Sequence, residues 1–162
     1  MNKPQILHEL KRTLDLVFPF FDADPAMLAR SYAPGKWTAR QILGHVVDTE
    51  CVHHVRMRHI LSEPDVAIVP FNQDTWARTL AYPQRNLRLM QKLWTATRES
   101  LMELVDLLPE PLFGRAGRHP ERASYRAWDV ASTAATHAMH HYGQLVAIRD
   151  GQPWAGRGNS EG

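Results

Sequence analysis

Thr38-Ala39-Arg40-Gln41-Ile42-Leu43-Gly44-His45-Val46-Val47-Asp48 is the stretch whose reading decides the fold. Thr38 and Gln41 have capping-box spacing, in which a hydroxyl and an amide satisfy the free N–H groups at a helix start. A helical pattern continues from there to Glu63 and stops at Pro64, because the residue before a proline is pushed out of helical geometry. At about 100° per residue, one stripe of this helix passes through Gln41, Ile42, His45, Thr49, Val52, Arg56 and Ile60, with Asp48 at its edge. His45 and Arg56 thus point where a core is expected. A buried polar group without a partner costs about 1–3 kcal/mol, and an unpaired charge more, so something must compensate.

A second stripe is interrupted in the same way. The helix expected over 127–150 lines up Val130, Ala134, His137, His141, Gln144, Leu145 and Ile148. His137 and His141 are four apart and stand one above the other. Thr133, Ala134 and Ala138 are small and leave room beside them. His140 rotates to the side of this stripe, and His53 and His54 read as peripheral on the earlier helix. Three imidazoles converging between helices make a metal site with a free coordination position.

Two further helices complete the pattern. The first runs from about Pro4 to Phe21 through Leu7, Leu10, Leu14 and Val17, with Pro19 bending or ending it early. A short piece follows from Asp24, with Pro25 suited to the first helical position. The other runs from Gln84 to Leu108, with Leu87, Met90, Trp94, Thr97, Leu101, Leu104 and Leu108 on one side. The connection over 64–83 holds Phe71, Trp76 and Tyr82 and one expected helical turn at Asp74–Ala77, while that over 109–126 is rich in Gly, Pro and Arg. No segment alternates as a strand. The expectation is an all-α four-helix bundle with long crossover loops, one domain over 1–154, and a flexible tail over 155–162. A helical domain stable only as an oligomer is the alternative.

Composition narrows the function classes. Nineteen Lys and Arg against 17 Asp and Glu leave a formal charge of +2, too small to argue for nucleic acid. No stretch reaches the roughly 18 apolar residues of a membrane span, and the charged N-terminal stretch does not read as a signal peptide. Cys51 is the one cysteine, so no intrachain disulfide forms, and it reads as a packed residue. A cytoplasmic protein acting on a small molecule is expected.

The run Gly35-Lys36-Trp37-Thr38 through Asp48, with Arg56 eleven residues after His45, resembles the DinB superfamily, and most of all its YfiT-like branch of metal-dependent hydrolases. Pro70-Phe71-Asn72-Gln73-Asp74-Thr75-Trp76-Ala77 resembles the loop that follows in that branch, and His137-Ala138-Met139-His140-His141-Tyr142-Gly143-Gln144-Leu145 its closing His-x-x-x-His motif. The resemblance implies His45, His137 and His141 as metal ligands, an up-down-down-up bundle, and a homodimer. It also implies either hydrolysis or transfer of a low-molecular-weight thiol of the bacillithiol or mycothiol kind. Near position 50, one YfiT-type version has another histidine where this chain has Glu50, which leaves surface variation and an altered ligand surround both open.

Three chemistries follow. A divalent metal on three neutral imidazoles can activate water for hydrolysis or hold a thiol as thiolate for S-transfer to small electrophiles. It can also serve only to staple a binding or dimerisation module, although a structural site is usually closed by a fourth ligand, and none is evident. Imidazole suits zinc, nickel, iron and copper. Zinc or nickel is the expected ion, with iron behind them. Ala138 stands where a His-Glu-x-x-His protease has its base, so thiol transfer, which asks less of the protein, is the leading expectation. Asp48 is the candidate acid–base residue. Arg56, Trp37, Trp76, Tyr142 and Gln144 are the candidates for supporting the ligands or walling a substrate pocket. Arg115, Arg118, His119, Arg122 and Arg126 could receive an anionic thiol.

Overall fold

Side-chain caps set the helix boundaries. Asn2 caps α1 (Lys3–Val17), and its side chain and that of Gln5 bond reciprocally to backbone N–H groups. Pro19 converts the chain to a 3-10 turn at Phe18–Asp22. Asp24 caps the short α2 (Pro25–Leu28), with Pro25 in its first turn. Thr38 and Gln41 form the expected capping box of α3 (Ala39–Ser62). Asn72 caps α4 (Gln73–Thr79), and Asn86 caps α5 (Leu87–Leu107). α6 (Ala127–Asp150) ends at Gly151, whose φ of 65° is the left-handed geometry that glycine adopts without strain. The computed structural model describes residues 1–63, 65–120, 122–154 and 156. The expected helix stop at Pro64 and nearly all of the expected flexible tail lie outside the described residues.

Contacts between named residues fix the topology. Lys3 bonds to the carbonyls of Asp106 and Leu108, and Thr13 bonds to Arg98, so α1 and α5 are antiparallel. Asp48 meets Arg85 and Arg58 meets Ser100, so α3 and α5 are parallel. His45 meets His141 and His53 meets His137, so α3 and α6 are antiparallel. Taken in chain order, α1, α3, α5 and α6 run up, down, down, up. α1 and α3 each pack against both α5 and α6 and stand at opposite corners. The parallel neighbours α3 and α5, and α5 and α6 at opposite corners, both require long connections, which accounts for the two crossovers.

Among the described residues, the strands that depart from an all-helical reading lie in the second crossover. Residues Ala116–His119 (β1) and Arg122–Arg126 (β2) form an antiparallel hairpin with an irregularity between Gly117 and His119. Arg118 also bonds through its backbone to Val66 and Ile68 of the first crossover. The two long connections therefore pair with each other at the Ser62 end of α3. No helix among the described residues is long and apolar enough to cross a membrane.

The core is in two parts. One apolar cluster gathers Leu14, Val17, Phe21, Ile42, Val46, Trp94 and Leu145. The other gathers Ile6, Leu10, Met57, Ile60, Leu101, Phe113 and Val130. Between them lies a buried polar layer of Thr13, His45, Thr49, Glu50, His53, Arg98, His141 and Gln144.

Candidate metal centre

His45 reaches this layer from α3, and His137 and His141 from α6. The Nε2 atoms of His45 and His137 are 2.9 Å apart, and those of His141 and His137 are 3.1 Å apart. Nitrogens at about 2.0–2.1 Å around one tetrahedral ion stand roughly 3.3 Å from one another, so the three are close enough to be able to hold one ion in common. His45 and His141 are buried; His137 is half-buried as a residue, with its ring enclosed.

Electrostatics prepare the same three groups. Burial, and then the neighbouring imidazoles, hold His45 and His137 well below the usual histidine range. Burial takes His141 down to about 3, against the hydrogen bond it donates to Gln144 and with a contribution from His140. All three are therefore neutral at pH 7 and can ligate a metal without first losing a proton. Gln144 fixes the tautomer of His141: its Oε1 lies 2.8 Å from His141 Nδ1 and can only accept, so Nδ1 carries the proton and Nε2 is left bare. Thr49 Oγ1 stands 3.4 Å from His45 Nδ1.

Glu50, His53 and Arg98 occupy the rest of the layer. Arg98 is fully buried and donates to Glu50 Oε2 at 2.9 Å, to the Ala134 carbonyl at 3.3 Å and to Thr13 Oγ1 at 3.4 Å. Its guanidinium also lies over the Trp94 ring at 4.4 Å. One cation thus touches α1, α3, α5 and α6. His53 sits between this pair and the histidine cluster, with Nδ1 3.9 Å from Glu50 Oε2 and its ring 6.0 Å from that of His137. It is 2% exposed and not peripheral, which corrects the sequence reading.

The remaining candidates separate. Trp37 packs on His45 with ring centroids 4.9 Å apart. Asp48 is tied to Arg85 at 2.6 Å, and its second oxygen has no protein partner among the described residues. Arg56 leaves the core stripe, is half-buried, and donates to the Val69 carbonyl. Trp76 packs at a tilt against Phe71 and, with Asp48 and Arg56, lines a cavity along α3. Tyr142 turns the other way, onto Phe20 and a hollow beside α1. Cys51 is a protonated thiol, pushed up to about 11 by burial and by Asp48 and Glu50.

The arginines of the second crossover are engaged elsewhere. Arg115 bonds the Leu61 carbonyl, Arg118 pairs with Asp65, and Arg126 pairs with Asp129. His119 packs on Tyr125. The side chain of Arg122 is outside the described part. Leu61 is sixteen residues past His45, about 24 Å along the helix axis.

The sequence profile of the DinB superfamily matches residues 9–145. The chain belongs to the DinB superfamily. Among curated relatives, it is 29% identical over 142 residues to a Bacillus cereus protein named "Putative metal-dependent hydrolase", covering 82% of this chain and 76% of that one. It is 25% identical over 134 residues to a protein of the same description from Oceanobacillus iheyensis, covering 82% and 77%. Its fold matches that of YfiT from Bacillus subtilis, described as "a probable metal-dependent hydrolase with an unusual four-helix bundle topology". The TM-score is 0.84, the identity 19%, and the match covers 93% of this chain and 88% of that one. This DinB chain shares that bundle, up-down-down-up by the contacts above.

Proposed function

We propose that this protein is a metal-dependent hydrolase of small molecules, with His45, His137 and His141 as the ligands of one divalent ion. The observation that supports it is the convergence of three neutral imidazole nitrogens within 4.8 Å of one another, a group that no fourth ligand atom joins among the described residues, His53 and His140 standing just outside it. A closed structural site would have that fourth ligand. An ion held there supplies Lewis acidity, lowering the pKa of water and polarising a carbonyl oxygen. Gln144 orients His141, and Trp37 shields one side of His45. Asp48, held in place by Arg85, offers its second oxygen as a proton acceptor.

Of the arginines expected to receive an anionic thiol, Arg115, Arg118 and Arg126 are engaged by other groups, which weakens the support for thiol transfer. Hydrolysis also agrees with the names of the relatives. The test is metal content and ester or amide hydrolysis by the wild type and a His137→Ala/His141→Ala variant. One ion per chain and metal-dependent hydrolysis in the wild type, both lost in the variant, are expected. Equal metal content in the two proteins would end the three-histidine reading. Conjugation of an electrophile to a low-molecular-weight thiol, without hydrolysis, would put S-transfer in its place.

A further inference from the structure

A cavity of about 530 Å³ lies between α3, crossover residues 66–69 and α4. Drug-sized ligand sites span roughly 300–1,000 Å³ and are mostly apolar with a few placed polar groups. This one has that composition: Val52, Val55, Ile68, Val69, Trp76 and Leu80 supply its walls. Val55, Val69 and Leu80 at its rim remain 51%, 75% and 44% exposed. Apolar side chains left wet around an apolar hollow are surface that a ligand would cover.

Its position relates it to the metal centre. Asp48 and Val52, three and seven residues after His45, lie within about 60° and 20° of it around the helix. Both line the cavity. Asp48 thus stands one helical turn from His45 at the near end of the cavity, whose lining includes none of the three histidines, and the apolar walls continue along α3 away from it. The far wall is held in place. Arg56 bonds the Val69 carbonyl at 2.8 Å, and Arg118 pairs through its backbone with Val66 and Ile68, each at 2.8 Å. A wall fixed from two sides makes a preformed pocket rather than a surface dimple.

We infer that this cavity is the acyl subsite of the metal centre. The substrate class is an ester or amide whose uncharged apolar acyl group lies along α3 between Val52 and Trp76, with the scissile carbonyl at the His45 end. Water adds across the C–O or C–N bond, giving the carboxylic acid and the alcohol or amine, and no other reactant is needed. The inference rests on the hydrolase reading, so its test uses binding as well as turnover.

The zinc-loaded full chain is assayed with p-nitrophenyl acetate, butyrate and octanoate, and by calorimetry with acetohydroxamate and octanohydroxamate. Burial of the added methylenes is expected to favour the eight-carbon compound by about tenfold or more in kcat/KM and in affinity. Val55→Trp and, independently, Val69→Trp replace exposed side chains at the rim and are expected to remove most of that preference. Leu93→Trp, on the exposed face of α5, is expected to keep it. No dependence on chain length in either assay would overturn the inference. So would a preference that survives both rim substitutions, or rim variants that change only the oligomeric mass, which would mark the cavity as a contact between copies. Absence of all ester hydrolysis, with a rim-dependent preference for octanohydroxamate, would support the subsite and discard the hydrolase.

Discussion

Glu50 and Arg98 carry the largest electrostatic cost at the level of single residues. A buried ion pair contributes little net stability, but removing one partner leaves the other charge uncompensated and costs about 3–5 kcal/mol. Arg98→Met is therefore expected to lower the unfolding free energy by about that amount in urea titration, whereas Glu50→Met/Arg98→Met recovers most of it. A double variant as unstable as the single one would show that the pair does not act as a unit. Neither partner was legible from periodicity. Positions 97 and 98 both fit between Trp94 and Leu101 at helical spacing, and Thr97 was the blander choice for the stripe. Gln144 was legible, because it continues the stripe of His137 and His141. Since it sets the tautomer of His141, Gln144→Leu is expected to weaken zinc binding about 10–100-fold with the fold intact. Competition with a chromogenic chelator measures this, and unchanged affinity would remove the role assigned to Gln144.

Among the elements, caps and prolines announced the helices more reliably than stripes announced their buried faces. α6 runs over its expected residues because Gly151 closes it, and α5 starts three residues late because the cap is Asn86. On α3 the stripe drawn through His45 and Arg56 was rotated from the buried face, which runs through Val46, Glu50, His53, Met57 and Ile60. Every residue from Ile42 to Glu50 is buried, so this half of the helix has no polar side to orient it. The hairpin was illegible for a different reason. Ala-Gly-Arg-His shows no alternation, and the pairing that supports it comes from Val66 and Ile68, some fifty positions away. Gly117 permits that approach: a Cβ there would stand 2.9 Å from Ile68 Cδ1 and 3.0 Å from the Val66 carbonyl. Gly117→Val is expected to cost about 1–3 kcal/mol by overpacking and to detach the crossover locally. Faster amide exchange at Ile68 and Arg118, with α1 and α5 unchanged, is the signature. Uniform change across the molecule would locate the damage elsewhere.

For the whole molecule, the polar layer between two apolar clusters couples stability to protons and to metal. His45, His137 and His141 have folded-state pKa values below their unfolded value near 6.5, with His141 at about 3. Above pH 6.5 neither state binds a proton at these groups, and they add no pH dependence. Below it the unfolded chain takes up protons that the folded chain refuses, so stability falls as pH falls. The slope approaches about 1.4 kcal/mol per pH unit for each histidine and persists down to the folded values. Chelator-treated protein is therefore expected to lose stability steeply from pH 6.5 toward pH 4, and His141→Ala to flatten the curve. Zinc is expected to act in the opposite direction: bound to the folded trio, it would stabilise the fold by roughly 4 kcal/mol at a thousandfold excess over its dissociation constant. Because the folded trio stays unprotonated where the unfolded chain takes up protons, this gain holds as the pH falls and fades only where the folded histidines themselves titrate. Urea midpoints measured from pH 7.5 to 4, with and without zinc, separate the two effects. An equal zinc-dependent gain in His137→Ala/His141→Ala would mean that the ion binds somewhere other than these three histidines.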